Sequence, residues 1–129
     1  MAAKILLVED DKILQKMYGD KFATTDYELL HASDGEEGLK KAREEKPDFI
    51  LLDLMMPKLS GIQVLKELKT HSETRHIPVA ILSGIPEDDS MLEGNGYLLK
   101  EVAGYFRKDE TNPSEIIEKV KEYLDKGKA

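Results

Sequence analysis

The sequence contains no cysteine. That excludes disulfides, zinc–thiolate centres and thiol nucleophiles, and it fits a reducing compartment. It also has no long apolar run. The first such run, Ile5–Val8, is too short for the core of a secretory signal and far too short to span a bilayer. The expectation is a soluble, cytoplasmic protein without membrane association. Repeats, low-complexity tracts and linker-like stretches are also missing, so residues 1–129 read as one domain. Positive charge is in deficit: 26 acidic against 19 basic residues give a formal charge of −7. An acidic surface repels phosphate backbones, which argues against a nucleic-acid partner. Only Lys126-Gly127-Lys128-Ala129 reads as a frayed tail.

What is present alternates. Strand-length apolar runs stand at Ile5–Val8, Tyr27–Ala32, Phe49–Leu52, Ile77–Leu82 and Gly104–Arg107. Three are apolar almost throughout, as parallel strands covered on both faces are. Between them lie helical patterns. The first carries Ile13, Leu14, Met17, Tyr18 and Phe22. The second opens at Ser33-Asp34-Gly35-Glu36, a capping-box spacing, and stops at Pro47. The third opens cap-like at Ser60-Gly61-Ile62-Gln63. The last opens at Asn112-Pro113-Ser114-Glu115, with proline in the first turn. The fourth is the weakest pattern, a short helix at about 97–103 on Leu98, Leu99 and Val102. It follows an acidic loop over 84–96 in which Gly94-Asn95-Gly96 reads as a plain turn. The sum is a doubly wound (βα)5 α/β domain.

Such sheets bind ligands beyond the carboxyl ends of their strands. Those ends carry Glu9, Asp10 and Asp11 after the first, Asp53 on the third, Ser83-Gly84 on the fourth and Lys108 after the fifth. Packed carboxylates repel one another and call for a cation or a retained proton. Hard oxygen donors with open positions suit Mg²⁺, with Mn²⁺ as an alternative. Asp10 is the expected direct ligand, with Glu9 acting through water, Asp53 in the same site and the backbone carbonyl of Met55 turned toward it by the Met-Met-Pro bend. A carboxylate beside Mg²⁺ has the chemistry to accept a phosphoryl group. Asp53, alone on the central strand, is the expected nucleophile. Lys108 and Ser83 would stabilise the oxygens in transfer, and Gly84 would leave room for the group. Asp11 reads as a helix cap. His31, His71 and His76 read as solvated or packing residues.

Those residues carry a resemblance. Glu9-Asp10 after "ILLV", the acceptor in "DLMMPKLSG", Ser83 after "PVAIL" and Lys108 after "GYFR" resemble the receiver domain of response regulators, the phospho-acceptors of two-component signalling. The likeness covers about residues 4–125. It implies a flavodoxin-like sheet of strand order 2-1-3-4-5. It implies a sensor histidine kinase or histidine phosphotransfer protein as donor, a switch in which Ser83 and Tyr105 move together, and no turnover of an external substrate. The sequence ends soon after the last helical pattern, so a stand-alone switch acting on a separate output protein is the expectation. Two departures stand out. Asp109 replaces the usual proline after the lysine, which favours a trans peptide bond there. The stretch from Ser83 to Lys108 is a few residues longer than the family resemblance leads one to expect.

Two other functions compete. A pseudo-receiver would use the same fold as a phosphorylation-independent interaction module, against which the intact acidic, hydroxyl and lysine set argues. A Mg²⁺-dependent phosphatase with an aspartyl-phosphate intermediate resembles a pattern with a second acid two residues after the nucleophile. Here that position is Met55, which transfers no proton.

Overall fold

A computed structural model describes residues 2–56 and 59–127. Five strands alternate with five helices: β1 (Lys4–Val8), α1 (Lys12–Phe22), β2 (Glu28–Ala32), α2 (Gly35–Glu45), β3 (Phe49–Asp53), α3 (Gly61–Thr70), β4 (Val79–Ser83), α4 (Gly96–Leu99), β5 (Gly104–Arg107) and α5 (Pro113–Gly127). All pairings are parallel, in the order β2-β1-β3-β4-β5.

The period-two pattern of the strands divides their side chains between two cores. Leu6, Val8, Ile50, Leu52, Val79 and Ile81 face α2, α3 and α4, where they meet Ala42, Val64, Leu65, Leu68 and Leu98. Ile5, Leu7, Phe49, Leu51, Ala80 and Leu82 face the other way, against Tyr18 and Phe22 of α1 and Ile116 and Val120 of α5. Burial on both faces explains why β3 and β4 are buried at every position. The strand order reverses between β1 and β3, so the crevice beyond their carboxyl ends is the switch point of the sheet.

The strand ends differ from the apolar runs by one or two residues. β3 and β4 extend to Asp53 and Ser83, so both polar residues belong to the ladder itself. β4 begins only after Pro78, which has no N–H to donate, and Ile77 N closes a turn onto Thr74 O at 3.0 Å. Tyr27 N bonds Thr25 Oγ1 at 3.1 Å and stands outside β2.

Three caps form as the spacing predicts. Ser60 and Gln63 make a reciprocal capping box on α3. Asn112 Oδ1 accepts from Glu115 N at 3.0 Å ahead of α5. Asp11 accepts from Ile13 N and Leu14 N, which makes it the cap of α1. On α2 the cap is Asp34, one residue later than the predicted Ser33; Asp34 Oδ1 accepts from Glu37 N at 2.9 Å.

Two helices depart from what their apolar patterns suggest. The apolar positions of α1 do not form a single buried stripe. Tyr18 and Phe22 are buried, but Ile13 is 73% and Met17 43% exposed. Tyr18 and Phe22 lie on the i, i+4 row that meets the sheet, and Ile13 and Met17 form a neighbouring row that does not. The fourth helix is also shorter than predicted. α4 is a single turn ending at Leu99, and a 3₁₀ turn at Ser90–Leu92 occupies part of the predicted loop. Gly94, at φ +85°, breaks the chain direction between the two, and Asn95 gives α4 no side-chain cap. α5 continues through Gly127, into the predicted tail; Lys128 and Ala129 lie outside the described residues.

Candidate functional site

The strand ends bring the predicted residues together. Asp53 terminates β3 at 1% exposure, and Glu9, in the loop after β1, and Ser83, at the end of β4, are fully buried. Asp10 is exposed at the mouth. One carboxylate oxygen from each of Glu9, Asp10 and Asp53 lies within 4.8 Å of the others. The Lys108 ammonium reaches in from the end of β5, 2.8 Å from Glu9 Oε1 and 3.2 Å from Asp53 Oδ2. The Lys108 backbone is tied to the same edge, its N–H donating to Ser83 O at 2.8 Å.

The turn after β3 shapes the acceptor. Met55 N donates to Asp53 Oδ1 at 3.1 Å, so the backbone at Met55 borders the acidic cluster while its side chain is half exposed. Pro57 of the predicted bend lies outside the described residues. Gly61 N then closes onto Leu54 O at 3.0 Å. A Cβ at Gly61 would stand 2.3 Å from Asp53 O and 2.4 Å from Leu54 Cα, so only glycine allows α3 to start this close to the acceptor. At Gly84 a Cβ would meet nothing within 4 Å, which leaves the open space predicted beside Ser83.

The electrostatics follow from burial. The Asp53 carboxyl is pushed up to about 7, first by burial and then by the charge of Glu9; the Met55 N–H and the Lys108 ammonium pull it back only in part. Burial pulls the Lys108 ammonium down, but the hydrogen bond to Glu9 and the charges of Asp53 and Glu9 outweigh it and raise its pKa. Three carboxylates against one ammonium leave the cluster in need of further positive charge. The donors are all hard oxygens and one lies at the solvent edge, which fits a small divalent cation entering from outside. Asp10, Asp53 and Glu9 are the residues that would hold it.

Ser83 and Tyr105 share a third residue. Ser83 Oγ accepts from Ile85 N at 3.0 Å, and Tyr105 OH donates to Ile85 O at 2.6 Å. The predicted pair therefore grips one residue of the β4–α4 loop, Ser83 by its N–H and Tyr105 by its carbonyl, in two successive peptide units. Spacing alone gives no sign of Ile85, since it contributes only backbone. Gln15 and His31 were also not predicted at the site. Gln15 Nε2 donates to Glu9 O at 2.6 Å, and His31 Nε2 lies 3.3 Å from the same oxygen. His31 thus borders the site rather than only packing. A polar residue one turn into the helix after an acidic strand end is the signal that marks Gln15.

A doubly wound sheet of this order, with a buried aspartate, an acidic pair and a lysine at its switch point, is an arrangement of the receiver type. Residues 5–121 match the response regulator receiver domain, and the chain belongs to that family, the receivers of two-component signalling. It is 33% identical over 126 residues to the polar-differentiation response regulator DivK of Brucella anthropi, covering 96% of this chain and 98% of that one. The receiver domain of the Francisella response regulator 1452 superposes with a TM-score of 0.77 at 30% identity, over 96% of this chain and 98% of that one. The receiver domain of the sensor histidine kinase PA1611 from Pseudomonas aeruginosa shares the fold, with a TM-score of 0.74 at 23% identity over 92% and 93%. That structure is described with a magnesium ion coordinated in its active-site cleft. Among the described residues no helix is long and apolar enough to cross a membrane.

Proposed function

We propose that this chain is a Mg²⁺-dependent switch in which Asp53 accepts a phosphoryl group from a phosphohistidine on a sensor kinase or phosphotransfer protein. The observation that carries this reading is the buried Asp53 carboxylate bridged by Lys108 within an acidic cluster. An Asp53 oxygen attacks phosphorus, the P–O bond forms as the P–N bond breaks, and the imidazole nitrogen keeps the electron pair. Met55 N holds the other Asp53 oxygen and so orients the attacking one. Lys108 moves from the carboxylates onto the phosphoryl oxygens, and the Ser83 hydroxyl donates to one of them through the opening at Gly84. Mg²⁺, when bound, supplies the remaining charge neutralisation; Mn²⁺ suits the same donors.

Ile13 and Met17 lie on α1, which starts directly after the acidic loop, and offer an apolar anchor for the phosphodonor next to the acceptor. The output partner then reads the β4–α4–β5 face, where Ser83, Ile85 and Tyr105 connect the site to the surface. Hydrolysis of the acyl phosphate resets the switch, with no external substrate turned over.

Incubation with acetyl phosphate and Mg²⁺ followed by intact mass measurement tests the reading. One phosphoryl adduct is expected on the wild type and none on Asp53→Asn. An unmodified wild type would favour the phosphorylation-independent interaction module instead.

A further inference from the structure

We propose that Gln15 is a positioning residue for the metal site, holding the Glu9 carbonyl and thereby fixing the Glu9-Asp10 pair against Asp53. The inference rests on the metal-dependent reading above. β1 ends at Val8, and Glu9 N still bonds Ala32 O at 3.0 Å. Beyond that bond the chain leaves the sheet. Its next carbonyl, Glu9 O, is taken by side chains: Gln15 Nε2 at 2.6 Å from α1, and His31 Nε2 at 3.3 Å from β2. The Glu9 carboxylate is held separately, by Asp11 N at 3.1 Å and by Lys108 at 2.8 Å.

The consequence falls on Asp10. A peptide unit is planar, so fixing Glu9 O fixes the nitrogen and Cα of Asp10 as well. The Asp10 side chain is exposed, and where its carboxylate points depends on how its backbone leaves that plane. Gln15 is well placed to set this. Its own N–H bonds Asp11 O at 2.9 Å, which ties it to the same loop by the main chain. It also lies off the buried row of α1, so the amide is the main thing it contributes.

Gln15→Met isolates that amide. Methionine keeps the unbranched length and helix propensity and removes the donor. Mn²⁺ binding is read by electron paramagnetic resonance, with Asp53→Asn identifying the site, and the melting temperature is read in EDTA. Loss of a partner behind a ligand weakens metal binding by about 10–100-fold, and His31 still contacts the carbonyl, so a roughly tenfold rise in Kd is expected. The metal-free melting temperature is expected to stay within about 2 °C, an effect under about 0.5 kcal/mol. The Mg²⁺ concentration for half-maximal phosphorylation should rise by more than the saturated rate falls. A variant with wild-type Mn²⁺ affinity would overturn the inference. So would a saturated rate that falls as far as affinity does, or a melting temperature that drops while affinity holds; either marks Gln15 as general packing. Wild-type protein that binds no Mn²⁺ in an Asp53-dependent way would overturn the proposed function together with this inference.

Discussion

One ammonium, that of Lys108, is shared by two buried carboxylates, 2.8 Å from Glu9 and 3.2 Å from Asp53. The two buried acids are thus tied together by the group that the proposed mechanism moves onto the phosphoryl oxygens. Lys108→Ala removes the shared cation and strands two buried acids. One of them is then expected to take up a proton, and the metal-free protein to lose on the order of 1–3 kcal/mol, less than a fully stranded charge costs. The alanine variant should bind Mg²⁺ at least as tightly as the wild type, because lysine and metal compete for the same oxygens. Phosphorylation by acetyl phosphate should nevertheless slow by about 10²-fold, since a donor to the transferring group is gone. Calorimetric Mg²⁺ titration beside phosphorylation kinetics checks both. Weaker metal binding with an unchanged rate would place Lys108 among the metal-holding groups.

Asp53→Asn should show its effect as a function of pH. The Asp53 pKa is about 7 in the folded, metal-free protein, against about 3.9 in an unfolded chain. A carboxyl raised in this way favours the folded state below the unfolded value, and that contribution is lost as pH rises through about 7. The difference in stability between Asp53→Asn and wild type should therefore grow from pH 4 to pH 7 and level off above, in favour of the variant by a few kcal/mol at most. Mg²⁺ should shrink the difference above pH 7 by stabilising only the wild type. Paired thermal melts across that range in EDTA and in Mg²⁺ give the comparison. A difference independent of pH would mean that Asp53 is not held protonated by its surroundings.

Gly61→Ala and Gly84→Ala should part company. At Gly61 all three obstructing atoms are backbone, the nearest two 2.3 and 2.4 Å from the added carbon, and cannot rotate away. The β3–α3 turn has to shift, at a cost of about 1–3 kcal/mol, and it carries the Met55 N–H away from Asp53. Gly84→Ala meets no atom within 4 Å, so its stability should stay within about 0.5 kcal/mol while the methyl narrows the entrance to the site. Urea unfolding separates the two, and equal destabilisation by both substitutions would sink the argument.

Most of this site was legible in the sequence because it stands at strand ends. Runs such as Phe49–Leu52 mark a strand by their length, and a doubly wound sheet places every strand end on one edge. That was enough to gather Glu9, Asp10, Asp53, Ser83 and Lys108. What stayed hidden depends on contacts with no sequence period. The reach of Gln15 back to Glu9 crosses a turn, Ile85 joins Ser83 to Tyr105 through its backbone, and the exposure of Ile13 and Met17 depends on which row of α1 meets the sheet. The fourth helix was misjudged because Leu98, Leu99 and Val102 suggest a longer apolar face than a helix of one turn presents.

The β4–α4 loop should tighten when the site is loaded. Among the described side chains between Ser83 and the end of α4, only Leu92 and Leu98 are buried apolar ones, at 5% and 3% exposure, so local opening of this segment is expected to cost little. Two hydrogen bonds restrain it at Ile85: Ser83 Oγ takes its N–H, and Tyr105 OH bonds its carbonyl. A hydroxyl both donates and accepts, so Ser83 can donate to a phosphoryl oxygen without releasing Ile85 N. Loading Asp53 then draws Ser83, Ile85 and the loop toward one arrangement. Amide hydrogen exchange over residues 84–99 is expected to be fast in the metal-free protein and to slow with Mg²⁺ and beryllofluoride, which together mimic the phosphorylated state. Tyr105→Phe removes the tether at Ile85 O but keeps the ring, so exchange there should quicken before loading and slow less after it. Strong protection of 84–99 in the metal-free wild type, or an unchanged response in Tyr105→Phe, would show instead that the segment is a rigid surface that does not report the state of Asp53.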